Sequence, residues 1–278
     1  MKTCKEYREF VAQSLSRKMK KTVFLFVMSA LTVLPFTSCI KINKDKIKIS
    51  STYDNASQYK PGSEPITNAI SKLEIDWISG NVDIESYDGS ELTFSETSEK
   101  ALTEETTMHY WLENGSTLHI QFGKSGVKFK NFDKRLTVKV PAAWNLDKIE
   151  VEAVSSDITV TGVTCGELEL DGVSADMIMS KSSVRSLDMN TVSGCLSADF
   201  ATADSAVVQP QKISLESVSG STTLSWPEAW GFSVEIESVS GKFNCPFATR
   251  VSKGEYTYGN GATEIEMESV SGSLSIEH

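Results

Sequence analysis

Between residues 73 and 277 the chain repeats one hydrophobic pattern. Apolar and polar residues alternate, a small-residue step interrupts them, and the alternation resumes. The form is h-x-h-x-x-h-S-G-x-h-x-h, with h apolar. Seven copies stand out: LEIDWISGNVDI, IEVEAVSSDITV, LELDGVSADMIM, LDMNTVSGCLSA, ISLESVSGSTTL, VEIESVSGKFNC and IEMESVSGSLSI. Their central serines are Ser79, Ser155, Ser174, Ser193, Ser219, Ser240 and Ser271. Alternation with period two sends every second side chain to one face of a strand, so each copy predicts two strands sharing a buried face. Glycine follows the serine at 80, 194, 220, 241 and 272, where a permissive backbone suits a sharp bend. Ser156 and Ala175 hold that place in two copies, so the bend does not demand a left-handed residue throughout.

Successive serines are 76, 19, 19, 26, 21 and 31 residues apart. The recurring interval of 19 to 21 fits one turn of a solenoid. A meander of hairpins is the rival, but it puts glycine in a tight turn between strands that face each other. Here the apolar phase lets both flanking strands line one interior. The expected fold is all-β: a single-domain parallel β-solenoid with right-handed crossovers and strands ~4.8 Å apart. Longer intervals become loops bulging from corners. Between the first two copies, LTFSETS, STLHIQF and LTVKV read as degenerate strands or a short antiparallel cap.

Stacked coils would form columns. The residue before each serine (Ile78, Val154, Val173, Val192, Val218, Val239, Val270) is expected inside. Leu73, Ile149 and Leu168, then Ile75, Val151 and Leu170, form inward columns ahead of it, and Ile84, Val160 and Leu224 form one behind. A single coil buries too little apolar surface to offset the entropy of ordering it, so copies must occur together.

The outward positions carry the candidate chemistry. Five residues before the serines stand Glu74, Glu150, Glu169, Asp188, Ser214, Glu235 and Glu266; three before stand Asp76, Glu152, Asp171, Asn190, Glu216, Glu237 and Glu268. Twelve of these fourteen are carboxylates. In stacked coils each would meet another ~5 Å above and below, at a cost of about 1 kcal/mol per pair in water and several-fold more near a protein surface. One reading is a face for cations, calcium included, or for a cationic partner. The other is an acidic coat that keeps a long exposed sheet soluble. The aspartate-rich calcium loop and the glycine–aspartate nonapeptide are both absent.

Net charge agrees with either reading. The formal charge is −10, and the first 39 residues carry seven Lys/Arg against two Asp/Glu. Without them 20 basic and 35 acidic residues remain, a charge of −15. Such a body repels nucleic acid and anionic lipid heads and favours cationic partners.

Residues 19–39, MKKTVFLFVMSALTVLPFTSC, begin with Lys20 and Lys21, continue through an apolar run and end in small polar residues before Cys39. The run is too short to span ~30 Å of hydrocarbon and reads as a signal peptide over residues 1–38, with Met19 as its natural start. FTSC resembles a bacterial lipobox, although Phe36 stands where leucine is usual. The resemblance implies lipidation of Cys39 and a membrane anchor, since multiple acyl chains hold a protein firmly. The alternative is a soluble secreted protein cut near Ser38. Residues 39–65, rich in Lys, Ser, Asn and Pro, read as a tether, and 66–278 as the solenoid. The lysines after Cys39 favour the periplasmic side of the envelope over its surface.

LTVKVPAAWNLDKIEVEAVSSDITV and EYTYGNGATEIEMESVSGSLSI resemble a bacterial envelope domain family. It is catalogued as a domain of unknown function and labelled, by analogy, an adhesin. The resemblance implies a β-solenoid outside the cytoplasm with no established catalytic residues.

The chain is poor in catalytic constellations. His109, His119 and His278 show no metal-ligand spacing, and no nucleophile elbow or phosphate loop occurs. Acids recur in every copy without one pair being singled out. Trp77, Trp144, Trp226 and Trp230 lie near bends and read as corner caps of the core. Cys165, Cys195 and Cys245 cannot all pair with one another. The expected function is a non-enzymatic envelope module needing no cofactor and contacting an envelope protein or surface glycan. The alternatives are an accessory scaffold of a membrane signalling regulator and a glycan-cleaving β-helix enzyme.

Overall fold

The computed structural model describes residues 41–43, 46–50, 52–201, 207–252 and 254–278. The signal peptide and Cys39 lie outside the described residues. Apart from one 3-10 turn at Ala56–Gln58, strand is the regular structure of the described residues. No described helix is long and apolar enough to cross a membrane.

The copies stack as parallel coils. Lys72–Tyr87 and Leu146–Thr161 each run as one continuous strand through the serine bend, so each belongs to two faces of the solenoid. Before the bend, Leu73 pairs with Ile149, Ile149 with Leu168, Leu168 with Leu187 and Leu187 with Ile213. After it, Val82 pairs with Ile158, Ile158 with Met177, Met177 with Leu196 and Leu196 with Thr222. STLHIQF and LTVKV form one more coil, with Thr117–Gln121 and Lys134–Pro141 parallel to the first copy. LTFSETS supplies the cap: Thr93–Thr97 runs antiparallel to Lys134–Pro141, as His109–Glu113 does to Thr117–Gln121.

At the other end the chain order is permuted. Thr263–Ser269 of the seventh copy lies between Lys212–Ser219 of the fifth and Phe232–Ser238 of the sixth, parallel to both. The sixth copy is therefore outermost. Glu255–Tyr258 seals it antiparallel and is itself flanked by Arg250–Ser252.

The interior is filled as the alternation requires. Leu73, Ile149, Leu168 and Leu187 are fully buried, as are Ile84, Val160 and Leu224. The row before the serines departs from expectation. Only Ile78 is buried, while Val154, Val173, Val192, Val218, Val239 and Val270 are half-buried. The inward place belongs to the residue two before the serine: Trp77, Ala153, Thr191, Ser217 and Ser269 are buried there. The strand keeps its period of two up to the bend. Beyond the first copy the inside of the corner has little volume, so small side chains occupy it and the valines lie on the outer side. Space also dictates the glycines. A Cβ at Gly80, where φ is +107°, would lie 2.1 Å from the carbonyl oxygen of Lys134 in the next coil.

A lysine plugs the N-terminal end of the interior. The Lys134 side chain is fully buried, with its ammonium 2.6 Å from Glu96 and 2.9 Å from the Thr106 carbonyl, over the rings of Phe122 and Trp77. Part of the expected tether is also bound to this end. Tyr53 donates its hydroxyl to the Gly123 carbonyl at 3.0 Å, and Lys60–Pro61 pairs with His109–Tyr110.

Candidate functional site

In every coil the strand before the bend turns its apolar residues inward, which leaves the acids on the outer face. The parallel register then aligns them. Glu74, Glu150, Glu169 and Asp188 are successive partners in one row, followed by Ser214, Glu266 and Glu235. Asp76, Glu152, Asp171, Asn190, Glu216, Glu268 and Glu237 form the second row. All twelve acids singled out in the sequence thus share one face. The permuted order leaves this intact, because the sixth and seventh copies carry glutamate at both positions.

The rows differ in how their charge is balanced. Lysines at the margin of the face serve the first. Lys148 lies 3.1 Å from both Glu150 and Glu167 and also bonds Glu169. Lys72 bonds Glu74 and lies 3.4 Å from Glu150, and Lys212 is 3.0 Å from Glu266. Burial works against the charge on Lys148, but the Glu169, Glu167 and Glu150 carboxylates outweigh it and raise its pKa above the usual lysine range.

The second row has little such relief. Burial pushes Glu152 up to about 8, with the Asp76 and Asp171 charges adding to the effect. Asp171 rises to about 7, where burial outweighs the 2.8 Å hydrogen bond that Asn190 donates to it. Burial raises Glu216 to about 7 and Asp76 to about 6. In the first row it raises Asp188 to about 6, and one Asp188 oxygen is buried without a hydrogen-bond partner. Near neutral pH Glu152 keeps its proton, and Asp171 and Glu216 are part-protonated, so the face carries less charge than its composition implies.

The extra N-terminal coil continues both rows with different chemistry, placing His119 beside Glu74 and Gln121 beside Asp76. The His119 ring lies 2.7 Å from Glu74 through Nδ1 and 3.1 Å from Glu113 through Nε2. The hydrogen bond to His119, then that to Lys72, draws Glu74 down to about 2. Burial opposes the charge on His119, but Glu74 and Glu113 raise it overall. Trp111 stacks on His119 with centroids 5.2 Å apart, and Tyr59 packs against both Trp111 and Tyr53. This aromatic cover escapes the sequence reading because Tyr53 and Tyr59 sit in an apparently polar tether. The available signal was the period of STLHIQF, which puts His119 and Gln121 in phase with the two acidic rows.

The arrangement is an open charged face, with a small hollow among Glu235, Glu237, Glu266 and Glu268. Among the described residues no three His, Cys, Asp or Glu side chains converge as metal ligands. A polar groove near the first bend, bordered by Asn81, Glu99, Lys100, Asp133 and Arg135, mixes acids and bases without isolating a pair. Trp77 and Trp226 are buried in the core, with indole nitrogens donating to the Lys134 and Trp230 carbonyls. Cys165, Cys195 and Cys245 are unpaired, respectively buried, exposed and half-buried.

These features define an open parallel β-solenoid, capped by antiparallel strands and bearing an acidic outer face. The chain belongs to the Toastrack DUF4097 family, whose profile matches residues 70–211. The match ends where the fifth copy begins.

Three solved structures are similar in part. One is a candidate cell adhesion protein from Clostridium sporogenes, 18% identical, covering 78% of this chain and 99% of its own, with a TM-score of 0.47. Another is a candidate adhesin from Bacteroides fragilis, 10% identical, covering 77% and 95%, with a TM-score of 0.41. The third is a candidate adhesin from Parabacteroides merdae, 12% identical, covering 79% and 97%, with a TM-score of 0.34. No curated protein matches the sequence.

Proposed function

We propose that this protein is a non-catalytic, lipid-anchored module of the bacterial cell envelope, whose acidic sheet face docks a cationic segment of another envelope component. The observation that carries this reading is the register of the two rows, which sets carboxylate over carboxylate along one face. Like charges directly opposite in a sheet destabilise it, so the fold bears a cost that a cationic partner would remove. Two long open rows, with no three ligands converging among the described residues, suit an extended polycation better than a single metal ion. The lipobox-like FTSC and the lysines after Cys39 support an anchor facing the periplasm.

Calorimetry with an oligolysine peptide tests the face. Binding should weaken steeply with salt. It should drop at least tenfold when Glu150, Glu169 and Glu266 are changed together to Gln. Binding unaffected by those changes would overturn the docking role. Mass spectrometry of the N-terminal peptide tests the anchor: acyl mass on Cys39 should vanish, and the protein should leave the membrane fraction, in Cys39→Ser.

A further inference from the structure

The seventh copy fills a level that the chain first passes by. After the fifth copy the chain builds the sixth one level further out, then returns to occupy the gap. Thr263–Ser269 enters between Lys212–Ser219 and Phe232–Ser238, and Ser273–Glu277 between Ser221–Ser225 and Phe243–Asn244. The segment completes the core there with Ile265, Met267, Leu274 and Ile276, all buried.

The return path is short. Tyr258 pairs with Phe232 on its outer flank, and Thr263 pairs with the same Phe232 on its inner flank. Residues 259–262 therefore carry the chain over the head of the sixth copy. Gly259 and Gly261 adopt φ of +60° and +66°, and Asn260 presses so closely that a Cβ on Gly231 would lie 2.2 Å from its Oδ1. A short, tightly wound hinge is the feature that favours exchange of an element between identical chains. Straightened, it would direct the same segment away from its own stack.

The gap is selective. A strand entering it must alternate apolar residues in phase with both neighbours. At the corner it must also carry a residue with no side chain. A Cβ at Gly272 would lie 2.6 Å from the Gly220 carbonyl oxygen, and one at Gly241 would lie 1.8 Å from that of Gly272. The ESVSG copies of this chain, at 216–220, 237–241 and 268–272, meet both demands. We infer that Thr263–Glu277 is an exchangeable element, and that the level between the fifth and sixth copies is a docking slot for the same segment of a second copy of this chain.

Two measurements on the full chain test this. Deleting Asn260 and Gly261 leaves too little chain to wrap the sixth copy, so light scattering should report twice the monomer mass. In the second, Ser214→Cys chains and Glu266→Cys chains are mixed, partly unfolded in denaturant, refolded together and oxidised. Positions 214 and 266 are register partners, so peptide mapping should find a linkage between them, formed across two chains. A single chain carrying both substitutions shows that the linkage can form. A folded, monomeric deletion variant would overturn the inference. If that variant fails to fold, the mixture decides: absence of the 214–266 linkage there, with its presence in the doubly substituted chain, sinks the slot.

Discussion

Replacing Glu152 by glutamine should stabilise the protein in alkali and leave it nearly unchanged in mild acid. Glu152 lies between Asp76 and Asp171 in the second acidic row. Burial, then the charges of Asp76 and Asp171, raises it from 4.5 to about 8. An unfolded chain releases this proton near the ordinary glutamate value, whereas the folded chain keeps it until about pH 8. Between those limits the folded state binds more protons, so stability falls as pH rises. At about 1.4 kcal/mol per pH unit, the ceiling on the destabilisation at pH 9 is about 5 kcal/mol. Water penetration and an effective dielectric near 20 reduce the realised cost to about 2–3 kcal/mol. Glutamine keeps the volume and polarity without the charge. At pH 9, Glu152→Gln should gain that amount, a rise in Tm of roughly 5–10 °C for a domain of this size. At pH 5 the parent already holds the proton, and the two should agree within about 0.5 kcal/mol. Circular-dichroism melts and urea titrations from pH 5 to 9 make the comparison. An equal effect at both extremes, or a parent that grows more stable toward pH 9, would refute the reasoning.

Further expectations follow from packing. Lys134→Met strands Glu96 in the interior and should cost about 3–5 kcal/mol in urea denaturation, and adding Glu96→Gln should recover at least half of that loss. Gly80→Ala should lower stability by about 2 kcal/mol or more, read as a fall in Tm, because both its φ and the Lys134 carbonyl oppose a Cβ. Leu168→Ala should cost about 2–5 kcal/mol, since Leu168 is fully buried. Val173→Ala, on the outer side of the corner, should cost under about 1 kcal/mol; a loss matching that of Leu168→Ala would return the valine row to the interior.

The acidic rows were legible in the sequence because period two fixes outward positions whatever happens at the bend. Glu150 and Glu152 stay outside as long as Ile149 and Val151 stay inside. The corner was not legible in the same way. Ile75 and Ile78 are three apart, and both cannot share a straight strand's inner face. Reading hydrophobic identity placed the valines inside, whereas the available volume put Gly172, Thr191 and Ser217 there instead. Trp77 escapes that limit because it meets Phe122 and Lys134 of the extra N-terminal coil. The order of the last coils could not be read either. The sixth and seventh copies offer the same ladder and the same ESVSG corner, so no local preference distinguishes their places.

Residues 53–61, which strap Tyr53 and Tyr59 onto the N-terminal coil, have a mechanical consequence. Tension applied through the chain ahead of residue 46 first meets the pairing of Ile49 and Ser50 with Phe129 and Lys128, then Tyr53 and the two-residue ladder of Lys60–Pro61. That ladder is far shorter than the thirteen register partners joining Lys72–Tyr87 to Leu146–Thr161. Pulled from this side, the strap would peel before any coil opens, uncovering Trp111 and His119 while leaving the rest of the stack to bear the load.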